Sequence, residues 1–321
     1  MKRVKKALVS LLTMAAFAVL FQMTAFAYWN NTSVVMTGCS DTAIGIKWNQ
    51  KVNTDTQTTS PTDYYVVESY DIKNDDGDLL ARVPATQLSY TFNNLNPGVV
   101  DYVTVYANYT NYYKFSSSTT WYSSKSYTSV GSTRVNTLPK KLTKFEVASG
   151  PSVSTATPTG ASGVQIELRN LVTGKVTYQT CYSYAPLSVP TNTAYAVRGR
   201  AYYQNYSNKT NYYSAWTGYK YFTKMTGTVQ SKSNARGFTL KLKKGKGIYQ
   251  YVVYVSTKNG KGYKKTATLK AKSGTFRITK IGKSALKKKK TYYIKVVPVL
   301  KVGNKKISSC LPGYTNIRVL G

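Results

Sequence analysis

The sequence predicts an all-β protein of three tandem β-sandwiches behind a cleaved leader. Three observations carry this expectation. Apolar residues alternate with polar ones at a period of two, as in Ile44, Ile46 and Trp48, in Val164, Ile166 and Leu168, and in Phe238, Leu240 and Leu242. That spacing turns three side chains to one face of an extended strand. No stretch beyond the leader shows the i, i+3, i+4, i+7 spacing of an amphipathic helix. The third observation is that the same landmarks recur three times along the chain.

The leader comes first. Lys2, Arg3, Lys5 and Lys6 form a positive segment, and Ala7 to Phe21 is apolar apart from Ser10 and Thr13. Ala25-Phe26-Ala27 supplies small residues at the last and third-last positions, so cleavage is expected between Ala27 and Tyr28. The apolar run is shorter than the roughly 20 residues of a spanning helix, and no second apolar segment follows it. A secreted, extracellular chain without a transmembrane segment is therefore expected, with cell-wall association as a refinement. Met36-Thr37-Gly38-Cys39 faintly resembles a lipidation site, but polar Asn30 to Ser33 separate it from the apolar run. Cys39 is expected instead to be a small apolar side chain of a first strand. Cys39, Cys181 and Cys310 fall one to each third of the chain, so three buried free thiols are expected and cores rather than disulfides must stabilise the fold.

Of 321 residues, 42% are hydrophobic, enough to fill real cores despite a formal charge of +34. Turns such as Asn74-Asp75-Asp76-Gly77 and Asn259-Gly260 punctuate strands rich in Tyr, Val, Thr and Ile. The first unit carries Leu95-Asn96-Pro97-Gly98, then Val103, Val105 and Ala107, then a polar Tyr-rich loop to Trp121. The second repeats Tyr195, Val197, Gly199 and Ala201 and reaches Trp216. In the third, Leu286 and four lysines precede Tyr292, Ile294, Val296 and Pro298, with Ser308-Ser309-Cys310 beyond. Near-constant spacing between these landmarks reads as an internal repeat.

This order of a Trp strand, a Tyr-Val strand, a hairpin, L-x-P-G, Y-x-V-x-V-x-A and S-x-W resembles the fibronectin type III domain, an immunoglobulin-like fold. The third unit, with Gly247 to Val253 and Thr291 to Val296, looks like the lysine-rich version found in secreted proteins of Gram-positive bacteria. The resemblance implies a core tryptophan at Trp48, with Leu168 and Leu242 in its place later. It also implies corner tyrosines at Tyr195 and Tyr292, whereas the first unit has Asp101 there and Tyr102 one place on. Pro298 replaces the usual alanine, which suggests an edge or bulge. Boundaries are expected after a signal peptide at 1–27, giving domains at 28–137, 138–225 (degenerate) and 226–321 (lysine-rich). Short linkers imply an extended rod with little shared surface.

Charge is graded along these pieces. Residues 28–137 hold 7 basic and 9 acidic side chains, 138–225 hold 10 and 2, and 226–321 hold 24 and none. A domain without acids cannot neutralise itself, so it favours a polyanion lying against it. The candidate residues are Lys264, Lys265, Lys287, Lys288, Lys289, Lys290, Lys305 and Lys306. Lysine suits diffuse attraction more than the bidentate recognition that arginine provides. An anionic cell-wall polymer or glycan is thus the expected partner, with a host or surface protein as a further one and no intracellular nucleic acid.

Tyrosine is the second anomaly, at 30 residues. Tyr112, Tyr113, Trp121, Tyr212, Tyr213 and Trp216 form a candidate aromatic strip, able to stack on sugar rings or to serve as cross-strand pairs. Cys310 at the third position implies that the strip stops with the second unit. Catalysis is not expected. The absence of histidine removes Ser-His-Asp, Cys-His and His-metal chemistry. Glu146 and Glu167 are the only acids of the second piece, so a two-carboxylate cleft has no basis there or in the third. Asp71, Asp75, Asp76 and Asp78 miss the ligand order of a calcium loop. No cofactor or metal is expected. The function expected is non-enzymatic surface or matrix binding and adhesion, with a carbohydrate-binding accessory module or a passive spacer as alternatives.

Overall fold

The computed structural model describes residues 32–52, 63–115, 117–230 and 236–320. The predicted cleavage site at Ala27 and Tyr28 lies outside them. The described residues are all-β, and no helix occurs among them.

In the first sandwich the strands are β1 (Val34–Cys39), β2 (Ile44–Trp48), β3 (Asp63–Lys73), β4 (Leu79–Pro84), β5 (Ser89–Phe92), β6 (Val100–Tyr113) and β7 (Tyr122–Asn136). They form one sheet in the order β1-β2-β5 and a second in the order β4-β3-β6-β7. Every pairing is antiparallel. The period-two residues of β2 meet Tyr70, Ile72, Val103, Val105 and Ala107 in the buried interior. Trp48 packs edge-on to Tyr70 with ring centres 5.5 Å apart. Strands β3, β6 and β7 run 11, 14 and 15 residues. The facing strands β1, β2 and β5 run only 6, 5 and 4. At about 3.3 Å per residue, the hairpin end of the longer sheet overhangs the shorter one.

The second sandwich comprises β8 (Phe145–Ala148), β9 (Ser152–Thr155), β10 (Gly163–Asn170), β11 (Val176–Cys181), β12 (Tyr184–Pro186), β13 (Tyr195–Asn205), β14 (Thr210–Tyr213) and β15 (Lys220–Phe222). One sheet is β8-β9-β12, and the other is β11-β10-β13-β14 with β15 also on β13. Val164, Ile166 and Leu168 lie on β10, which pairs with both β11 and β13. Leu168 therefore does not occupy the position of Trp48, as the sequence suggested. The second strand of this sandwich is β9, whose Val153 is fully buried. At four residues it is too short to display the alternation that identifies its counterparts.

The third sandwich comprises β16 (Gly227–Gln230), β17 (Phe238–Leu242), β18 (Ile248–Ser256), β19 (Lys264–Lys270), β20 (Gly274–Ile278), β21 (Lys280–Ile281), β22 (Ser284–Ala285), β23 (Thr291–Val302), β24 (Lys305–Ser308) and β25 (Gly313–Arg318). Its sheets are β16-β17-β20 and β19-β18-β23-β24, with β25 also on β23 and the β21-β22 pair apart. Leu240, Leu242, Tyr251, Val253, Ile294 and Leu300 fill its core. All three sandwiches thus share one scheme, a first-second-fifth sheet facing a fourth-third-sixth-seventh sheet. This is the sandwich architecture that the fibronectin type III resemblance implies.

The chain forms two compact units. One runs to Thr137 and takes in Asn205–Thr210; the other holds the remainder from Leu138 onward. The second and third sandwiches are therefore not loosely strung beads. Asn192, in the left-handed region at φ 54°, donates its amide to Lys224 O at 2.7 Å and accepts Lys246 N at 2.8 Å on its carbonyl. Its side chain accepts Thr226 N at 3.0 Å. Ala194, Leu171, Tyr221 and Met225 join the third core, and Leu311 packs on the second. The sequence suggested little shared surface because it displays linker composition, not the complementarity of the faces on either side.

Pro298 stands on a central strand rather than an edge. Its partners change there: β25 pairs with β23 from Thr291 to Val296, and β24 pairs from Val299 to Val302. The missing N–H falls at this break, so no ladder bond is lost to it. Ser309 donates its amide to Pro298 O at 2.8 Å. Its Oγ accepts Thr223 N at 3.3 Å from the end of the second sandwich.

Candidate functional site

Among the described residues the ion pairs are Asp71–Arg82, Glu68–Lys125, Glu167–Arg169 and Glu167–Arg198, all before residue 199. The third sandwich has no acid with which to form one. Its candidate lysines are all exposed, but they do not form one cluster. Lys264, Lys287 and Lys290 line a shallow cleft of about 220 Å³ with Tyr292 and Leu286. Lys288 and Lys289 complete the turn before β23, and Lys289 N donates to Val319 O at 2.7 Å. Lys305 and Lys306 sit on β24, opposite Val302 and Lys301. Lys306 Nζ lies 4.1 Å from the centre of the Tyr249 ring, and the lysine holds that phenol below its usual range. Lys265 lies on β19, opposite Tyr254.

Lys265 belongs to a row that the sequence reading missed. Tyr254 faces Lys295 across β18 and β23, and Lys295 faces Tyr314 across β23 and β25. Directly opposed residues share a sheet face, so Lys265, Tyr254, Lys295 and Tyr314 form one row across four strands. Lys295 Nζ stands 6.0 Å from the Tyr254 ring centre and 5.8 Å from that of Tyr314. Ile294 and Val296 point inward on the same strand, 0% and 3% exposed. The signal was the alternation Tyr293-Ile294-Lys295-Val296, whose polar members face out. Aromatic surface therefore does not stop with the second sandwich. Cys310 was the wrong position to judge by, because the third sandwich carries its tyrosines on strand faces rather than at a loop end.

The second sandwich uses its aromatics differently. Arg198 and Arg200, two apart on β13, both lie against Trp216, with guanidinium carbons 4.4 and 4.3 Å from the ring centre. Arg200 also covers Tyr213 at 3.6 Å, and Arg198 covers Tyr219 at 4.6 Å. The result is an alternating ladder of Tyr213, Arg200, Trp216, Arg198 and Tyr219, a stack of cation–π contacts. Ser214 and Thr217 fix it to the sheet. Ser214 Oγ accepts Ala201 N and Thr217 Oγ1 accepts Gly199 N, each at 3.0 Å. Their own amides donate back to the same two residues' carbonyls. Beneath the ladder Glu167, 1% exposed, accepts Arg198 at 2.6 and 3.0 Å and the Tyr219 hydroxyl at 2.6 Å. Burial acts to raise the Glu167 carboxyl, but the bonds from Tyr219 and Arg198 and the arginine charge hold it below its ordinary value. Tyr212, on β14 beside Tyr213, is half-buried.

In the first sandwich Tyr112 stacks on Tyr64 at 4.9 Å and 12°, and Trp121 meets Tyr64 edge-on at 5.2 Å. Tyr113 stacks on Tyr122 at 5.8 Å. Lys114 Nζ sits 5.2 Å from the Trp121 ring centre. Both sets lie on the overhanging end, where β6 and β7 pair beyond the reach of β1, β2 and β5. Trp121 stands at the hairpin tip between β6 and β7, 42% exposed, while Trp216 lies back against β13. The two tryptophans share a spacing in sequence but not a place in the fold, because the first hairpin arm is longer.

The corner positions also differ. Tyr292 Oη accepts Lys287 N at 2.7 Å. Tyr195 Oη instead accepts the Asn170 side chain at 3.3 Å, and its ring stacks on Phe222. Tyr102 is 44% exposed and closes no corner. Thr137 does so in the first sandwich, its Oγ1 accepting Val99 N and donating to Asn96 O, both at 2.9 Å. Tyr70 and Tyr251 form a further matched pair. Tyr70 Oη accepts Lys51 N, and Tyr251 Oη donates to Lys243 O, each at 3.0 Å.

Asp71 and the Asn74–Asp78 turn show acids of the first sandwich in structural roles. Asp71 accepts two bonds from Arg82 at 2.6 and 2.8 Å, and the guanidinium holds its carboxyl below the ordinary range. Asn74 Oδ1 accepts Asp78 N at 2.7 Å and closes the turn that carries Asp75 and Asp76. Among the described residues no group of three or more Cys, Asp or Glu side chains is placed to hold a metal. All three cysteines are free; Cys39 and Cys181 are half-buried, but Cys310 is exposed rather than buried. Burial pushes the Cys39 thiol up to about 11, so it stays a protonated, unreactive group. Among the described residues no helix is long and apolar enough to cross a membrane.

No protein-family model matches the chain, and no curated protein matches it. Similar solved structures include the chicken CNTN1 FN1-FN3 domains, at 10% identity and a TM-score of 0.24, covering 91% of this chain and 100% of that one. A segment of two fibronectin type III domains from chicken tenascin is 11% identical with a TM-score of 0.28, covering 60% of this chain and 99% of that one.

Proposed function

We propose that this protein is a non-enzymatic, secreted surface-binding protein whose third sandwich attaches it to an anionic wall or matrix polymer. The observation that carries this reading is the outward row of Lys265 and Lys295 on a sandwich whose residues include 24 basic and no acidic side chains. Lys241, exposed between buried Leu240 and Leu242, and Lys243, exposed just past the end of β17, add cations on the side of the opposite sheet. Uncompensated charge on both faces raises the local concentration of any polyanion and releases its counterions on contact. The first sandwich, close to neutral and bearing its aromatic overhang, supplies a second surface for adhesion to a host or surface protein. The exposed Trp121 and its stacked tyrosines favour a second reading, a carbohydrate-binding accessory module, in which that overhang meets sugar rings.

The test uses the chain lacking residues 1–27, sedimented with purified Gram-positive cell walls before and after teichoic acid is stripped. Binding that disappears on stripping and falls steeply with added salt supports electrostatic attachment. Binding that persists at high salt and is lost with Trp121→Ala supports the carbohydrate reading. A chain that stays in solution at the lowest ionic strength removes both.

A further inference from the structure

The lysine row borders a cleft of different chemistry. One step along β23 from Lys295, Tyr293 faces Asn316 on β25. Tyr263, just before β19, comes over the same face and meets Tyr314 with ring centres 6.2 Å apart and planes at 60°. Together with Asn259 and Thr315 these residues line a cleft of about 320 Å³, at the small end of the range for ligand pockets. The lining offers three phenols, two carboxamides and a hydroxyl, and no formal charge. Burial and the neighbouring phenols of Tyr314 and Tyr293 push the Tyr263 hydroxyl up, so it remains a neutral donor.

An anion alone has no use for such a lining, because the surrounding lysines already serve it. Amides and phenols that both donate and accept suit a ligand dense in hydroxyl groups. Ring edges and faces suit the C–H surface of a pyranose. A single-stranded nucleic acid would instead need open aromatic faces on which successive bases stack. Here Lys295 sits over Tyr254 and Tyr314, and Tyr263 tilts against Tyr314.

We infer that the cleft between Tyr263, Tyr293, Tyr314 and Asn316 is a sugar-ring subsite, and that the polymer bound by the third sandwich is an anionic glycan. Its charged groups lie along Lys265 and Lys295, and one pyranose ring enters the cleft beside them. This inference rests on the polyanion reading above and narrows it to a ligand class.

The chain lacking residues 1–27 is titrated with three polyanions at moderate salt: polygalacturonate, which carries anionic pyranose rings; linear polyphosphate, which has none; and oligo(dT). Tyr314→Ala and Asn316→Ala remove cleft groups from exposed positions, Lys295→Glu removes the central cation, and thermal melts show that each variant is folded. Polygalacturonate is expected to bind more tightly than polyphosphate. Each cleft variant should weaken polygalacturonate about tenfold and leave polyphosphate unchanged, while Lys295→Glu weakens both. Cleft variants that change neither ligand, or both equally, overturn the sugar subsite and leave the electrostatic reading standing. Tighter binding of oligo(dT) than of polygalacturonate, sensitive to Tyr314→Ala, overturns it in favour of nucleic acid. If none of the three binds when the titration is repeated at low salt, the electrostatic reading itself fails and takes the subsite with it.

Discussion

The phenol of Tyr292, 2% exposed in the third core, accepts the amide of Lys287 at 2.7 Å. A core side chain thereby anchors the start of the four-lysine turn. Like charges repel along Lys287 to Lys290, and the turn is held against that repulsion by this bond together with those that Lys289 N and Lys290 O make to Val319.

Tyr292→Phe keeps the packing and removes that bond, leaving the Lys287 amide unpaired. The expected loss is about 1 kcal/mol of stability. It should appear in urea titration as a lower midpoint with an unchanged slope. An unchanged midpoint would mean that the turn is held by the remaining bonds alone.

Ser309 joins two sandwiches through one hydroxyl. Its Oγ accepts Thr223 N at 3.3 Å and Leu311 N at 3.1 Å. Ser309→Ala strands the amide of Thr223, a residue only 1% exposed, at a cost of about 1–3 kcal/mol. Calorimetry is expected to show a lowered transition for the second and third sandwiches, in contrast to Ser308→Ala. Equal melts for the two variants would show that the hydroxyl does not couple them.

Trp216 is held on two sides by Arg198 and Arg200. Trp216→Ala should cost about 2 kcal/mol through lost cation–π contacts and burial. Wall binding and its salt dependence should be unchanged, because the ring is engaged within its own sandwich. Loss of binding in a variant of normal stability would restore Trp216 to the candidate strip.

Glu167 links stability to acid. Its carboxyl is held below its ordinary value in the folded chain. A depressed folded value means that its contribution is fully present above the ordinary glutamate value of about 4.3 and is lost as pH falls through the folded value. Glu167→Gln should therefore destabilise the chain most near neutral pH. The gap from the parent chain should narrow as pH falls from about 5 into the acid range. A gap constant across that range would show that the charge of Glu167 is not what its neighbours stabilise.

Much of the fold was legible in sequence. Ile44, Ile46 and Trp48, and Phe238, Leu240 and Leu242, alternate because each strand has one wet face and one dry face, and that contrast is written residue by residue. β9 was not legible, because Ser152 to Thr155 is mostly small and polar and takes its burial from neighbours distant in sequence. The lysines of the turn were visible as a run. Lys295 was not, since its meaning comes from Tyr254 and Tyr314 on strands more than 15 residues away on either side.

By itself the sequence determined the strand class, the absence of histidine, and the gradient of charge toward residues 226–321. These are properties of composition and local period, which no packing can alter. Tertiary structure alone decided that Trp121 and Trp216 occupy different places and that Thr137 closes the corner Tyr102 leaves open. It also decided that the second and third sandwiches form one unit, and that tyrosines and lysines meet in a row. Each of these depends on register between strands far apart in the chain, and a shift of one residue turns every side chain to the other face.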